Sequence, residues 1–216
     1  MYKRQEFVPY KNGVVCAKMN HMSYIDGTGT VVWEIDTAIV DPILKVDGNY
    51  ILIAEKGRNK ICLYIDNKLQ YDVDDPDTVM SAELSSNGDV VVVTDKSSYR
   101  GGISVYNKSG EQIFSWASGS DAVICADISA ASRSVAVALL NSDVTAKTTV
   151  QLFNVNETES YAKIEMPDTV VYELQFVGDK VNAFGDNRVT GISSSGKIVY
   201  AVSYTHLRAH ETTLHL

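Results

Sequence analysis

One signature recurs along this chain at an interval of roughly 40 residues, and it limits the architecture more than any other feature. Residues 26–33 read DGTGTVVW, 107–114 read NKSGEQIF, 154–161 read NVNETESY and 193–200 read SSSGKIVY. Each copy starts on a small polar residue, repeats one two positions later, and reaches an aromatic seven positions after the start. In three of the four, Gly follows the second polar residue. DNKLQY, ending at Tyr71, is a shortened copy. The terminal aromatics Trp33, Tyr71, Phe114, Tyr161 and Tyr200 are therefore 38, 43, 47 and 39 residues apart. Four-stranded propeller blades recur at about 40–45 residues. A turn in which Gly supplies positive φ, followed by an aromatic strand, makes the hairpin that closes a blade.

A second feature precedes each of these turns. VVCAK (14–18), YILIAEK (50–56), DVVVVTDK (89–96), SVAVALL (134–140) and KVNAFGD (180–186) are short, branched and apolar. Such runs suit strands buried on both faces, as between neighbouring blades. The runs that follow, KICLYID (60–66), GISVYNK (102–108) and TVQLFNV (149–155), alternate and predict strands buried on one face. The reading is an all-β propeller of about five four-stranded blades over 1–202, forming an incomplete ring. A two-sheet sandwich also has short strands at turn-separated intervals, but does not require one turn-plus-aromatic signature per unit.

The composition fits a packed domain, being 45% apolar and 21% charged. A net charge of −8 removes the electrostatic drive for binding nucleic acid or anionic lipid. Cys16, Cys62 and Cys125 stand far apart in apolar runs and read as small buried hydrophobes, which leaves the redox compartment open. No stretch approaches the length of a membrane span, and MYKRQEFVPYKNG lacks the apolar core of a signal peptide. An export signal or anchor, if the protein has one, is expected upstream of Met1.

From Pro42 to Tyr200 the chain resembles a bacterial family of unknown function that carries a WD-repeat-like or YVTN-like propeller. PILKVDGNYILIAEKGRNKICLYIDN, SSNGDVVVVTD and VVYELQFVGDKVNAFGDNRVTGIS carry the resemblance. It implies a propeller outside the cytoplasmic membrane behind a single N-terminal anchor, and it brings no catalytic residues. DGTGTVVW on its own is similar to the blade-ending turns of quinone-cofactor propellers and outer-membrane assembly scaffolds. There the indole docks one blade on the next, and a structural device is the reading here.

The pattern is expected to break at Val202 or Ser203. VSYTHLRAHET (202–212) matches the translation of a transposon-based sequencing adapter, so 203–216 read as a non-native tail. That reading disposes of His206, His210 and Glu211, which could otherwise pass for half a zinc site. The usual metalloprotease order, with Glu directly after the first His, is absent. His21 is the sole histidine outside the tail, too few for histidine-based hydrolysis. DVDDPD (72–77) lacks the spaced ligands and Gly of a calcium loop. Asn107 and Asn156 begin formal glycosylation acceptors but read as turn chemistry. No cofactor, metal or catalytic residue is expected.

The function expected is non-enzymatic binding of a protein or cell-envelope ligand, extracytoplasmic, with any membrane contact through the upstream anchor. The longest loops, 95–101 and 141–148, fall on one side of successive blades if the repeat is right. Tyr99 and Arg100 are the contact residues expected there, since aromatic and Arg side chains dominate interfaces. Two alternatives stand beside it. One is an enzyme, quinoprotein-like or other, with its site over the central channel; convergent carboxylates at the channel mouth would favour it. The other is a cytoplasmic scaffold.

Overall fold

The computed structural model describes residues 5–141 and 146–204. Its twenty strands form five four-stranded antiparallel sheets, each a simple meander. Blade one holds β1 (Glu6–Tyr10), β2 (Gly13–Lys18), β3 (His21–Ile25) and β4 (Val31–Asp36). Blade two holds β5 (Pro42–Asp47), β6 (Tyr50–Glu55), β7 (Lys60–Ile65) and β8 (Lys68–Asp74). Blade three holds β9 (Thr78–Leu84), β10 (Val90–Asp95), β11 (Gly102–Tyr106) and β12 (Gln112–Ala117). Blade four holds β13 (Ala122–Ile128), β14 (Ser134–Asn141), β15 (Lys147–Asn154) and β16 (Ser160–Pro167). Blade five holds β17 (Val171–Val177), β18 (Lys180–Gly185), β19 (Arg188–Ile192) and β20 (Ile198–Ser203). The meander puts the first and third turns of every blade at one end, here the lower face. The second-to-third loops and the links between blades lie at the upper face. No helix among the described residues is long and apolar enough to cross a membrane.

Period-two geometry explains the valine run of the third blade. Successive side chains of a strand leave on opposite faces. Val90 and Val92 of β10 join the core shared with blade two, and Val91 and Val93 join the core shared with blade four. Ile51 and Ile53 of β6 likewise face blade one, while Leu52 and Ala54 face blade three. The second strands are thus buried on both faces, as their composition requires. Four apolar cores fill the interfaces between consecutive blades, and none of them joins blade five to blade one. Among the described residues the ring is open there. Ile198, Val199, Tyr200 and Val202 of β20 stand exposed on blade five, and Phe7 stands exposed on blade one.

Two expectations are corrected. The third strands β7 and β11 are buried on both faces: Ile61 and Leu63 face blade three, and Cys62 and Tyr64 face blade one. In β7 the alternating Cys62 and Tyr64 pack as hydrophobes against the neighbouring sheet. The third such run, in β15, does alternate as expected, and the fourth strands are buried on one side as well; of β8, only Tyr71 is fully buried.

The second correction concerns the repeat itself. Each third-to-fourth pair carries a register shift at one place, and the residue paired just before it is Trp33, Tyr71, Phe114, Ala162 or Tyr200. In blade four the repeat position is therefore Ala162. Tyr161 falls in the bulge and is 43% exposed. The cause is the Gly-less turn: Phe153 pairs with Ser160 seven positions on, whereas Tyr106 pairs with Gln112 six positions on. At the other end of the chain, β20 continues through Ser203, with Val202 opposite Val189 and Ser203 opposite Arg188.

Candidate functional site

The first strands of blades two to five line a central cavity of about 650 Å3. Each contributes a charge: Lys45 from β5, Glu83 from β9, Asp127 from β13 and Glu173 from β17. Lys45 Nζ donates to Glu83 Oε1 at 2.6 Å, bridging blades two and three. The Phe176 backbone N–H donates to Asp127 Oδ2 at 2.6 Å, bridging blades four and five. Burial pushes the Asp127 carboxyl up to about 6; the Phe176 and Ile128 N–H groups oppose that, and the Glu83 charge adds to it. Burial also raises Glu83, with Lys45 opposing and Glu173 adding. The quartet is not evident from the repeat, whose signature lies in the turns and the second strands. Aligning the first strands PILKVD, TVMSAEL, AVICADI and VYELQFV shows at least one charge in each, with two, Lys45 and Asp47, in the first.

A pH dependence follows. A carboxyl whose folded pKa lies near 6, above the ordinary 3.9 or so of the unfolded chain, disfavours the fold when ionised. That penalty is fully present above pH 6 and is relieved as pH falls through 6 towards 4. Glu83 shifts in the same direction. The expected result is a melting temperature that rises between pH 7.5 and pH 5. Asp127→Asn, which still offers an oxygen to Phe176, should be more stable than wild type at pH 7.5 and show a flatter profile. Identical profiles for the two proteins would refute the assignment.

Tyr99 and Arg100 lie on the upper face, in the loop between β10 and β11. The loop is fixed by its backbone: Tyr99 N–H donates to Lys96 O at 3.0 Å and Arg100 N–H to Ser118 O at 2.8 Å. Ser118 N–H returns to Gly101 O at 3.0 Å, tying the loop to the link into blade four. Tyr99 is 50% exposed, and the Arg100 guanidinium has no partner among the described residues. The second loop, 141–148, joins β14 to β15 and so starts from the same face; its residues 142–145 lie outside the described residues.

The remaining motifs resolve as follows. In DVDDPD, Asp72 and Asp74 pair with Lys60 at 2.6 and 3.3 Å. Asp75 is buried and accepts from Tyr106 Oη at 2.7 Å and from Asp77 N–H at 2.8 Å. Among the described residues no three His, Cys, Asp or Glu converge for a metal ion. His206, His210 and Glu211 lie outside the described residues. His21 sits 3.5 Å from Glu34 and 3.6 Å from Asp36. Cys16 and Cys62 are buried and free; Cys125 is free but half-buried rather than buried. Burial pushes the Cys62 and Cys125 thiols up to about 12, so neither is a nucleophile at neutral pH. Asn107 Oδ1 accepts from Ser109 N–H at 2.9 Å and Glu111 N–H at 3.1 Å, which is turn chemistry. Asp26 of DGTGTVVW does the same with Thr28 and Thr30, and Trp33 packs on Tyr24 and the core between blades one and two.

Solved structures similar to the chain are propellers. BamB from Moraxella catarrhalis superposes with a TM-score of 0.63 at 12% identity, over 93% of this chain and 64% of its own. Kluyveromyces lactis Hsv2 gives 0.64 at 10% identity, over 92% and 72%. The C-terminal WD40 domain of Sif2 gives 0.63 at 14% identity, over 90% and 56%. The chain thus spans a little under two thirds of BamB and just over half of the Sif2 domain. At these identities the likeness establishes the fold. No curated protein matches the chain in sequence. The model of DUF5711, a family of unknown function, matches residues 2–208, and the chain belongs to that family.

Proposed function

We propose that this protein is a non-enzymatic binding propeller that holds a protein or envelope ligand on its upper face through Tyr99 and Arg100. The observation that carries this reading is the loop geometry. An exposed phenol and an unpartnered guanidinium sit on a backbone pinned by hydrogen bonds to the next blade. A backbone held this way has little ordering entropy left to lose on binding, and Tyr and Arg are the types that dominate interface energetics. The resemblance to anchored propellers supports a location outside the cytoplasmic membrane, reached through an upstream anchor. The test is a photo-crosslinking residue placed at position 99 or at Glu111 on the lower face, in the native cell. A discrete adduct from position 99, absent from 111 and lost with Arg100→Ala, is the expected result. Equal labelling from both positions would overturn it.

A second reading rests on the central cavity. Glu83, Asp127 and Glu173 line it from three blades, and burial raises the Glu83 and Asp127 carboxyls. Raised carboxyls in a cleft are the usual equipment of acid–base chemistry. Under this reading, a ligand that protects the cavity would slow amide exchange at Phe176 and leave Tyr99 unchanged.

A further inference from the structure

A cleft of about 520 Å3 runs along the outer flank between blades three and four. It reaches from the link at 118–121 on the upper face to the turn at Thr158–Ser160 on the lower face. One wall is the indole of Trp116 in β12, half-buried, with its ring 5.0 Å from that of Phe153 in the floor. The opposite wall belongs to blade four: Gln151 of β15, Lys163 directly across the ladder on β16, and Glu159 of the turn. The side chains of Gln151, Glu159 and Lys163 have no partner among the described residues.

Trp116 departs from the repeat. Two positions beyond the register shift residue, the other blades carry Ile35, Val73, Ile164 and Val202, all branched aliphatics. Blade three alone has an aromatic there, opposite Ile103. A branched aliphatic at this place is enough to build a blade, so the indole is surplus to the fold. It also lies where the facing wall supplies an amide, an ammonium and a carboxylate.

The chemistry of the walls selects among ligands. An apolar ligand would strip water from three polar side chains without replacing their hydrogen bonds. Asp121, at the upper end of the cleft, is engaged by Asn141 Nδ2 at 2.8 Å, so the two charges left to meet a ligand are one of each sign: the Lys163 ammonium opposes a cation and the Glu159 carboxylate opposes an anion. A peptide added as a strand is held by backbone hydrogen bonds to a sheet edge, and a proline-rich peptide docks in a groove lined by several aromatics; here the polar groups are side chains, and Trp116 is the one aromatic of the lining that is not fully buried. What remains is a neutral polyhydroxylated ring. Its C–H face stacks on an indole, and its hydroxyls both donate and accept, as Gln151, Lys163 and Glu159 together require. We propose that the cleft between blades three and four is a saccharide-binding subsite, with Trp116 as the stacking platform and Gln151, Glu159 and Lys163 as the hydroxyl partners. It stands independently of the reading of Tyr99 and Arg100.

The test uses the two indole N–H signals of the protein, Trp33 and Trp116, in a titration with cellobiose and with diacetylchitobiose. The expected result is a saturable shift of the Trp116 signal with at least one disaccharide, at a Kd of about 1–10 mM, while Trp33 stays in place. Trp116→Ile restores the repeat residue and should leave the melting temperature within about 3 °C while weakening binding more than about tenfold, or about 1.4 kcal/mol, read on the Lys163 and Gln151 resonances. If that variant fails to fold, Gln151→Ala with Lys163→Ala, both towards solvent, must weaken the Trp116 shift instead. No movement of Trp116 at 50 mM of either sugar overturns the proposal. So does a Trp116 signal moved by a Lys-Arg-Lys peptide and by neither sugar, or undiminished binding in the variants.

Discussion

Phe153→Ala should lower the unfolding free energy by about 3–5 kcal/mol, the largest single loss expected in this protein. The ring is fully buried in the core between blades three and four, 5.7 Å from Phe114 and 5.0 Å from Trp116. Truncation removes the transfer energy of a phenyl group and leaves a hole between two sheets. Those sheets cannot close on it without breaking ladder hydrogen bonds on both sides. Against a typical total stability of about 5–15 kcal/mol, the loss brings the domain close to unfolding at 37 °C. Urea denaturation monitored by far-UV circular dichroism measures it. Tyr161→Ala, equally aromatic in the sequence pattern but half-exposed in the bulge, should cost less than about 1 kcal/mol. If the two substitutions cost the same, the assignment of Ala162 and not Tyr161 to the repeat position is wrong.

Gly110→Ala should cost about 2–4 kcal/mol, and the loss should fall on the interface between blades two and three. Two effects add at this residue. Its φ is +80°, where an L side chain is strained. A Cβ built there would lie 2.8 Å from Tyr71 Cγ and 2.9 Å from Tyr71 Cβ. The turn of blade three rests on the blade-closing aromatic of blade two, whose ring is buried and cannot swing aside. Gly119 provides the control. Its Cβ would meet nothing within 4 Å and its φ is not positive, so Gly119→Ala should stay within about 0.5 kcal/mol of wild type. Thermal melts of the two variants decide the point, and equal melting temperatures would show that the turn does not dock on Tyr71.

The glycine signature was legible because turn chemistry is local. Gly110 and Gly196 take positive φ at the same step of NKSG and SSSG, and no distant contact is needed to require it. The valine run of β10 was legible for a related reason: burial on both faces of a strand demands apolar residues at every position. From these two features the sequence determined a repeat of four strands, the second of each buried on both sides. It did not place Tyr161 correctly. One extra residue in the Gly-less turn moves the bulge, and only the pairing of β15 with β16 counts it.

Tyr99 and Arg100 are proposed as contact residues from their types and their place on a long loop. What the tertiary structure added is that their backbone is held by Ser118, from the link into the next blade. The sites built by several blades were out of reach. Lys45, Glu83, Asp127 and Glu173 meet around the central cavity although neighbours in that set lie 38 to 46 residues apart, and Trp116 faces Gln151 and Lys163 across the cleft from 35 and 47 residues away. The sequence by itself fixes what each strand buries and where each turn bends, because those depend on neighbours one to seven residues away. Which charges share a cavity, and which polar side chains confront an indole, depends on how one sheet rotates and stacks against the next. That geometry is set by the packing of the four interblade cores and is written in no single segment.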